Sequence, residues 1–198
     1  MRPDTKLILA SASPRRKILL EQIGYSFEVI PSRVDEPPYD NEDPIVYASN
    51  LATLKAEEVS NQYPDALVIG ADTIVIIGNQ VLGKPENEAS AYEMLGKLSG
   101  QTHQVITAYS FDLKALGISE VHHVLTHVHF KPLHSEEMDY YIGTGAPFDK
   151  AGAYGIQDYS SIFVDQIDGC FYNVVGLPLS DFNENLNRLL RQHAITLS

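Results

Sequence analysis

The feature that most constrains this chain is the run ALVIGADTIVII at positions 66–77, which is apolar apart from Asp72 and Thr73. We interpret it as a strand that Gly78 and Asn79 turn back toward a second strand at 81–83, as in a hairpin. An ionised carboxylate in such a run is costly to bury without a partner. Asp72 must therefore meet a metal, a cation or a pocket open to water, which makes it a candidate general base or metal ligand. The alternative is that it caps a turn at a strand end.

Strand-like and helix-like segments alternate along the chain, and this order is typical of the α/β class. Further strands are predicted at 6–10, 26–30, 104–113, 119–130 and 161–167. Helices are predicted to begin at Ser13-Pro14 and at Asp43-Pro44, to cover about 87–98 and 135–142, and to follow a capping Ser180. The second of these helices should reach about Tyr63. No linker is visible, so we predict one domain over residues 1–198.

Composition excludes several classes of function. The formal net charge is −12, and a field of that sign repels a nucleic-acid backbone. No apolar run approaches the roughly 20 residues that a membrane-spanning helix needs. The single cysteine, Cys170, excludes an internal disulfide and a four-cysteine zinc site, and a reducing cytoplasm is the simplest location. A small polyanion is still an acceptable ligand if the cations are gathered at one place.

One such place is the segment SASPRR at 11–16, where a strand end leads into a helix start. The first N–H groups of a helix are unpaired and carry partial positive charge, so they form an anion pocket. Arg15 and Arg16 oppose the helix dipole there, which makes sense if an anion lies between them and the helix. The other interpretation is a solvated, capped helix whose arginines pair with acids elsewhere.

Two lysines are further candidates. Lys55 lies on the apolar stripe of the second helix, between Leu51 and Val59, so it either snorkels at the edge of the core or points into a cleft. Lys84 lies in GNQVLGKP at 78–85, which nearly matches the spacing of a P-loop. Proline at 85 replaces the magnesium-binding hydroxyl and the segment reads as a hairpin, so we reject a P-loop. Lys84 remains a candidate phosphate cation.

Two further segments carry polar groups of interest. The acidic pair Asp35-Glu36 lies in a proline-rich loop, and Glu36 and Asp72 could share one Mg²⁺ with phosphate oxygens and water. The segment DKAGAYGIQ at 149–157 contains glycines that permit close approach of the backbone to a ligand. Gln157 at its end offers a donor and an acceptor that suit the edge of a base.

Taken together, these motifs resemble the Maf family of nucleoside triphosphate pyrophosphatases. The motifs occur in the family's order over almost the whole chain: LILASASPRR (7–16), VDE (34–36), ADT (71–73), GKP (83–85), SGQTHQVIT (99–107), DKAGAYGIQ (149–157) and NVVGLPL (173–179). The resemblance implies hydrolysis of a nucleotide to the monophosphate and pyrophosphate with a divalent metal cation, Mg²⁺ or Mn²⁺. It also implies an elongated mixed sheet flanked by helices, with a central cleft between two lobes. A homodimer is common among such proteins.

The resemblance also implies roles by position. Asp72 is similar to the catalytic proton acceptor and Glu36 to a metal-handling acid, and both are candidate metal ligands. The phosphate-binding set is implied to be Ser11, Arg16, Lys55 and Lys84, and Glu36 and Lys84 are counted as catalytic together with Asp72. The substrate-sorting positions are implied to be Arg15, Thr73 and Gln157, which match the branch that acts on dTTP and UTP. Asp158 departs from the family, in which glycine commonly follows the glutamine.

Two other functions compete with this reading. The first is a related hydrolase of 7-methyl-GTP or ITP, which an assay of these nucleotides beside dTTP and UTP would separate. The second is a non-catalytic, nucleotide-sensing protein linked to cell division, which would bind nucleotide without releasing pyrophosphate. The presence of Asp72 and Glu36 together with both lysines favours an enzyme, because sensing needs no acid that activates water.

Overall fold

The computed structural model describes residues 4–198 and contains alternating strands and helices, as the sequence predicts. The strands are β1 (Leu7–Leu9), β2 (Glu28–Val29), β3 (Leu67–Ile77), β4 (Gln80–Leu82), β5 (Thr102–Leu113), β6 (Ile118–Phe130) and β7 (Val164–Asp168). The α-helices are α1 (Pro14–Gln22), α2 (Pro44–Ser60), α3 (Glu88–Leu98), α4 (Ser135–Gly143), α5 (Phe171–Val175) and α6 (Leu179–His193). None of the helices between residues 4 and 198 combines the length and the apolar character that crossing a membrane requires.

The strands form one mixed sheet in the order β2-β1-β3-β5-β6-β7, and β4 pairs with the end of β3. Strand β1 runs parallel to both β2 and β3, whereas β4 is antiparallel to β3 and β7 is antiparallel to β6. The predicted fold class, a mixed α/β sheet with helices, is therefore confirmed. The predicted hairpin after the apolar run is also present, with Gly78 at a φ of 58° in its turn.

Contacts within the chain separate into two compact units. The first unit contains the described residues up to Asp72 together with Thr107–Val124 and Gly176–Ser198. The second unit contains Thr73–Ile106 and Leu125–Val175. The single domain over 1–198 and the central cleft stay predictions, and the first three residues lie outside the described part of the chain.

The two predicted helix starts are confirmed by their caps. The side chain of Ser13 accepts a hydrogen bond from the backbone N–H of Arg16 at 3.5 Å, and Pro14 occupies the first helical position. The side chain of Asp43 accepts from the N–H of Ile45 at 2.8 Å at the start of α2. Helix α2 ends at Ser60, slightly earlier than the sequence predicts.

Two predictions of local structure are wrong. Helix α6 begins at Leu179 after Pro178, so Ser180 lies inside the helix and does not cap it. The predicted strand at 161–167 begins only at Val164, because the preceding residues Tyr159–Phe163 form a 3₁₀-helix. That 3₁₀-helix starts where the side chain of Asp158 accepts from the N–H of Ser160 at 3.0 Å, a capping interaction that competes with an extended backbone.

The first unit depends on close packing of α2 against β3 at Gly70. A Cβ atom at Gly70 would lie 2.1 Å from the carbonyl oxygen of Ala52 and 2.6 Å from the amide nitrogen of Ala56. Both of these atoms belong to the backbone of α2, so the helix contacts the strand at a distance that only glycine permits. The side chains of Ala56 and Val59 pack with Val68 in a buried apolar cluster around this contact.

The core of the second unit contains a buried histidine. The Nε2 atom of His103 lies 2.8 Å from the hydroxyl of Tyr154, and its ring meets the edge of Phe130 at a centroid distance of 5.0 Å. Its Nδ1 atom is buried and has no hydrogen-bond partner among residues 4–198. Burial lowers the pKa of His103 to about 4, and the nearby His129 adds to this effect.

The packing at Gly70 predicts that Gly70→Ala destabilises the protein. The added methyl group meets helix backbone that cannot move aside, so we expect a loss of about 1–3 kcal/mol in the free energy of unfolding. Urea denaturation measures this loss. The matched control is Gly96→Ala in α3, where a Cβ would meet nothing within 4 Å. That substitution should leave stability unchanged or raise it, since alanine favours helix. A Gly70→Ala protein as stable as the wild type would contradict the packing.

The buried histidine predicts that stability depends on pH. In the unfolded chain a histidine gains a proton near pH 6.5, whereas folded His103 gains one only near pH 4. The unfolded state therefore binds more protons between these values, and lowering the pH from 6.5 to 4 should cost the folded state about 3 kcal/mol through this group.

Denaturation curves collected from pH 7 to pH 4.5 test this dependence. The His103→Gln variant should lose part of the wild-type slope, while a variant of the exposed His123, His123→Gln, should retain it. Parallel slopes for the wild type and His103→Gln would show that another group causes the acid sensitivity.

Candidate active site

Lys55 joins two carboxylates in the first unit. Its Nζ atom lies 2.6 Å from Oδ1 of Asp72 and 2.8 Å from Oε1 of Glu36. The lysine side chain is only 13% exposed, so it does not snorkel to the solvent. The close packing of α2 on β3 explains the contact, because α2 carries Lys55 and β3 carries Asp72. The structure thus selects a cation as the partner of Asp72 from the alternatives that the sequence left open.

Arg16 anchors the start of α1 beside these charges. Its Nη1 atom donates to the hydroxyl of the buried Ser11 at 3.1 Å, and its Nε atom donates to the carbonyl oxygen of Gly176 at 2.9 Å. Burial lowers the pKa of the Arg16 guanidinium, and Arg15 acts in the same direction. The negative charges of the Lys55-linked carboxylates act against this shift, which shows that they lie within electrostatic range.

The sequence analysis missed Tyr47. Its hydroxyl donates to the carbonyl oxygen of Pro37 at 3.0 Å, so this side chain ties α2 to the loop that carries Glu36. Burial raises the pKa of the Tyr47 hydroxyl, and the charges of Asp72 and Glu36 raise it further. A signal was present in the sequence, because Tyr47 precedes Lys55 by 55 − 47 = 8 residues and positions i and i+8 share a helix face.

In the second unit, the GKP segment is joined to the glycine-rich loop. The N–H of Gly152 donates to the carbonyl oxygen of Gly83 at 3.0 Å. Gly152 has a φ of +69°, and a Cβ there would lie 3.0 Å from Cγ1 of Val75, so both its conformation and the space around it favour glycine. Lys84 and Gln157 are exposed at the ends of the two joined segments. Thr73 is partly buried on β3.

The candidate residues therefore fall into two groups, each within one unit. The first unit contains Ser11, Arg15, Arg16, Glu36, Lys55 and Asp72. The second unit contains Thr73, Lys84 and Gln157. The structure brings together the acids and cations of the first group, and it links the segments that carry Lys84 and Gln157. The roles assigned to these residues stay predictions, as does the idea that they all line one groove.

Glu36 and Asp72 offer oxygen ligands of the kind that a divalent cation prefers. Among residues 4–198 there is no cluster of three or more His, Cys, Asp or Glu side chains suited to a metal ion. Mg²⁺, however, commonly binds through one or two carboxylates and completes its shell with substrate phosphates and water. Two carboxylates held within contact of one lysine fit that kind of site.

Comparisons with known proteins agree with these motifs. The family described as Maf-like protein matches residues 6–189. A protein of Syntrophus aciditrophicus (strain SB) named dTTP/UTP pyrophosphatase is 45% identical over 91% of this chain and 88% of its own length. Relatives with the same name from Symbiobacterium thermophilum and Caldicellulosiruptor saccharolyticus are 49% and 46% identical, over 88% and 93% of this chain and 89% and 94% of their own lengths.

One solved structure, of a Vibrio cholerae protein, covers 98% of this chain and 86% of its own at 11% identity, but its TM-score of 0.34 supports no conclusion about the fold. The family match is of a different kind, since it spans nearly the whole chain and includes every motif that the sequence singled out. The chain belongs to the Maf-like protein family.

Proposed function

We propose that this protein hydrolyses dTTP and UTP to the nucleoside monophosphate and pyrophosphate. Its relatives at 45–49% identity carry the name dTTP/UTP pyrophosphatase. The observation in the structure that best supports the proposal is the pairing of one buried lysine, Lys55, with the two acids Asp72 and Glu36. A cytoplasmic location and a homodimer belong to the same proposal.

This pairing favours catalysis over nucleotide sensing. Burying a lysine beside two carboxylates costs desolvation energy that well-packed apolar residues would not require. A protein that only senses a nucleotide needs no acid that activates water. An enzyme that must direct water at phosphorus does need a fixed carboxylate. We therefore favour an enzyme over the sensing alternative.

In the proposed mechanism, Asp72 orients the attacking water and accepts its proton. The 2.6 Å contact between Lys55 and Oδ1 fixes the position of this carboxylate, so that it is oriented to accept the proton. A divalent cation held by Glu36 and Asp72 would supply charge neutralisation on the phosphate oxygens and would make a bound water more acidic. The water attacks the α-phosphorus, and the bond to the bridging oxygen breaks so that pyrophosphate leaves.

The cations of the site balance the charge of the triphosphate. A protein with a net charge of −12 needs local positive groups to bind a polyanion. Arg16 and Ser11 lie at the N-terminal end of α1, where helix N–H groups also favour an anion. Lys84 is exposed just before a proline and is available to neutralise the leaving pyrophosphate.

Recognition of the base is assigned to Arg15, Thr73 and Gln157. Gln157 can donate and accept one hydrogen bond each, as the edge of a thymine or uracil requires. A site built to pair with polar groups on one base rejects another base whose groups leave its own unpaired. We therefore expect 7-methyl-GTP and ITP to be poorer substrates than dTTP and UTP.

The first prediction of this mechanism concerns Asp72→Asn. The amide keeps the shape of the side chain but cannot accept the proton of water, so we expect kcat to fall about 10²- to 10⁴-fold while nucleotide still binds. Release of pyrophosphate and calorimetric binding of dTTP measure the two effects. The control is Asp65→Asn, an exposed aspartate just before β3, which should retain wild-type turnover. An Asp72→Asn enzyme within twofold of the wild type would remove Asp72 from the chemistry.

The second prediction concerns substrate choice in the wild-type protein. With Mg²⁺ or Mn²⁺ present, kcat/KM should be highest for dTTP and UTP and at least about tenfold lower for 7-methyl-GTP and ITP, the effect of one mispaired hydrogen bond. The measurement is pyrophosphate release across the nucleotide panel, with and without a chelator. Preference for 7-methyl-GTP or ITP would support the related hydrolases instead. Tight binding without pyrophosphate release would support the sensing protein.

A further inference from the structure

Gln157 presents its amide without help from neighbouring side chains. The residue is exposed, and no residue between 4 and 198 forms a hydrogen bond with its side chain. An amide that must match the edge of a base needs a defined direction, because a freely rotating group loses entropy on binding. The backbone on which Gln157 sits sets the direction in which this side chain leaves the turn.

That backbone is held from one side by Lys150. The Nζ atom of Lys150 lies 2.6 Å from the carbonyl oxygen of Ala146, 2.6 Å from Oδ1 of Asp149 and 3.3 Å from Oδ2 of Asp158. Two of its three N–H donors are used in hydrogen bonds to Ala146 and Asp149, and the contact with Asp158 is an ion pair. The Lys150 side chain is only 12% exposed. Lys150 therefore stabilises the structure within the second unit. The sequence motif alone would suggest that it binds phosphate.

Asp158 holds the same backbone from the other side. Its Oδ1 atom accepts from the N–H of Ser160 at 3.0 Å and lies 2.6 Å from the hydroxyl of Ser160. The backbone N–H of Asp158 donates to the carbonyl oxygen of Gly155 at 3.2 Å, and the N–H of Gly155 donates to the Ser160 hydroxyl oxygen at 2.9 Å. Gln157 thus lies within a short turn whose two ends are both bonded.

The space at Gly155 shows how tightly the turn is enclosed. A Cβ atom there would lie 2.5 Å from Cε of Lys150, 2.7 Å from Cδ of Lys150 and 3.0 Å from Oδ2 of Asp158. The lysine side chain therefore runs directly across the turn to reach the aspartate. We call this ion pair, Lys150 with Asp158 across Gly155, the Lys150–Asp158 clamp.

We propose that the Lys150–Asp158 clamp is a positioning device that fixes Gln157 for recognition of the pyrimidine base. The inference rests on the proposed function, in which Gln157 contacts the base. Asp158 and Lys150 touch neither base nor phosphate in this role and act only through Gln157. The clamp also explains the presence of Asp158. At this position the family commonly has a glycine, whereas this chain has an acid.

Steady-state kinetics of Asp158→Ala and Lys150→Met test the proposal. Each substitution opens the clamp, and we expect KM for dTTP and UTP to rise about tenfold, the size of one lost hydrogen bond, while kcat changes less than about twofold. Gln157→Ala should produce a similar rise. Because the clamp acts through Gln157, the double variant Gln157→Ala/Asp158→Ala should be no worse than Gln157→Ala alone.

A structural role without positioning would give a different pattern. If the effects of Gln157→Ala and Asp158→Ala multiply, or if KM is unchanged in Asp158→Ala, the proposal is overturned. Asp158→Asn serves where the alanine variant does not fold, since it keeps the acceptor for Ser160 and removes only the charge that faces Lys150. Its KM should lie between those of the wild type and Asp158→Ala.

Hydrogen exchange tests the clamp separately from activity. The amides of Gly155 and Ser160 should exchange faster in Asp158→Ala than in the wild type, because their acceptors move or disappear. The control is Glu93→Ala, which breaks an ion pair with Lys97 on α3 and should leave these two amides unaffected. A wild-type protein that hydrolyses neither dTTP nor UTP would overturn the proposed function, whereas unchanged exchange in Asp158→Ala would overturn the clamp itself.

Discussion

The close approach of α2 to β3 at Gly70 is the constraint on which the candidate site of the first unit depends. The helix backbone lies so near the strand that no side chain fits between them at this position. Lys55 belongs to that helix and Asp72 to that strand, and their contact of 2.6 Å tolerates little displacement. Tyr47 on the same helix holds the loop that supplies Glu36. The absence of a side chain at Gly70 thus helps to set the positions of Lys55, Asp72 and Glu36.

The balance between the acidic net charge and the cations of the candidate site is a second constraint on this chain. An acidic protein that acts on a polyanion must concentrate positive charge locally, and Arg16 and Lys84 are the groups proposed to do so. Lys55 differs from a simple phosphate ligand, because its ammonium group already contacts two carboxylates. It joins Glu36 to the buried Asp72, and Asp72 is the acid proposed to act on water.

The sequence predicted much of this arrangement from local chemistry. The helix starts at Pro14 and Pro44 followed from capping residues, and the hairpin after β3 followed from glycine and asparagine. The need of Asp72 for a partner followed from the cost of burying a carboxylate. These inferences were accurate because each depends on residues that are neighbours along the chain. The family resemblance extended them to roles that local patterns do not define.

The remaining features depend on contacts between distant positions, which a single sequence does not contain. The choice of Lys55 as the partner of Asp72 required the packing at Gly70, and the role of Tyr47 required the path of the acidic loop. The prediction of a cap at Ser180 was wrong because a serine near a helix start need not be the first residue outside it. The strand predicted from position 161 was wrong because the cap from Asp158 overrides β-propensity there.

The bonding of Lys150 changes how basic residues in such a chain should be counted. Its side chain is largely shielded from solvent and its ammonium group contacts three oxygens of its own loop, while Lys84 in the GKP segment is exposed. Of these two motif lysines, only Lys84 is exposed to solvent. A count of lysines in the sequence therefore overstates the positive charge available to attract the substrate. Lysines such as Lys150 instead stabilise the loop to which they belong.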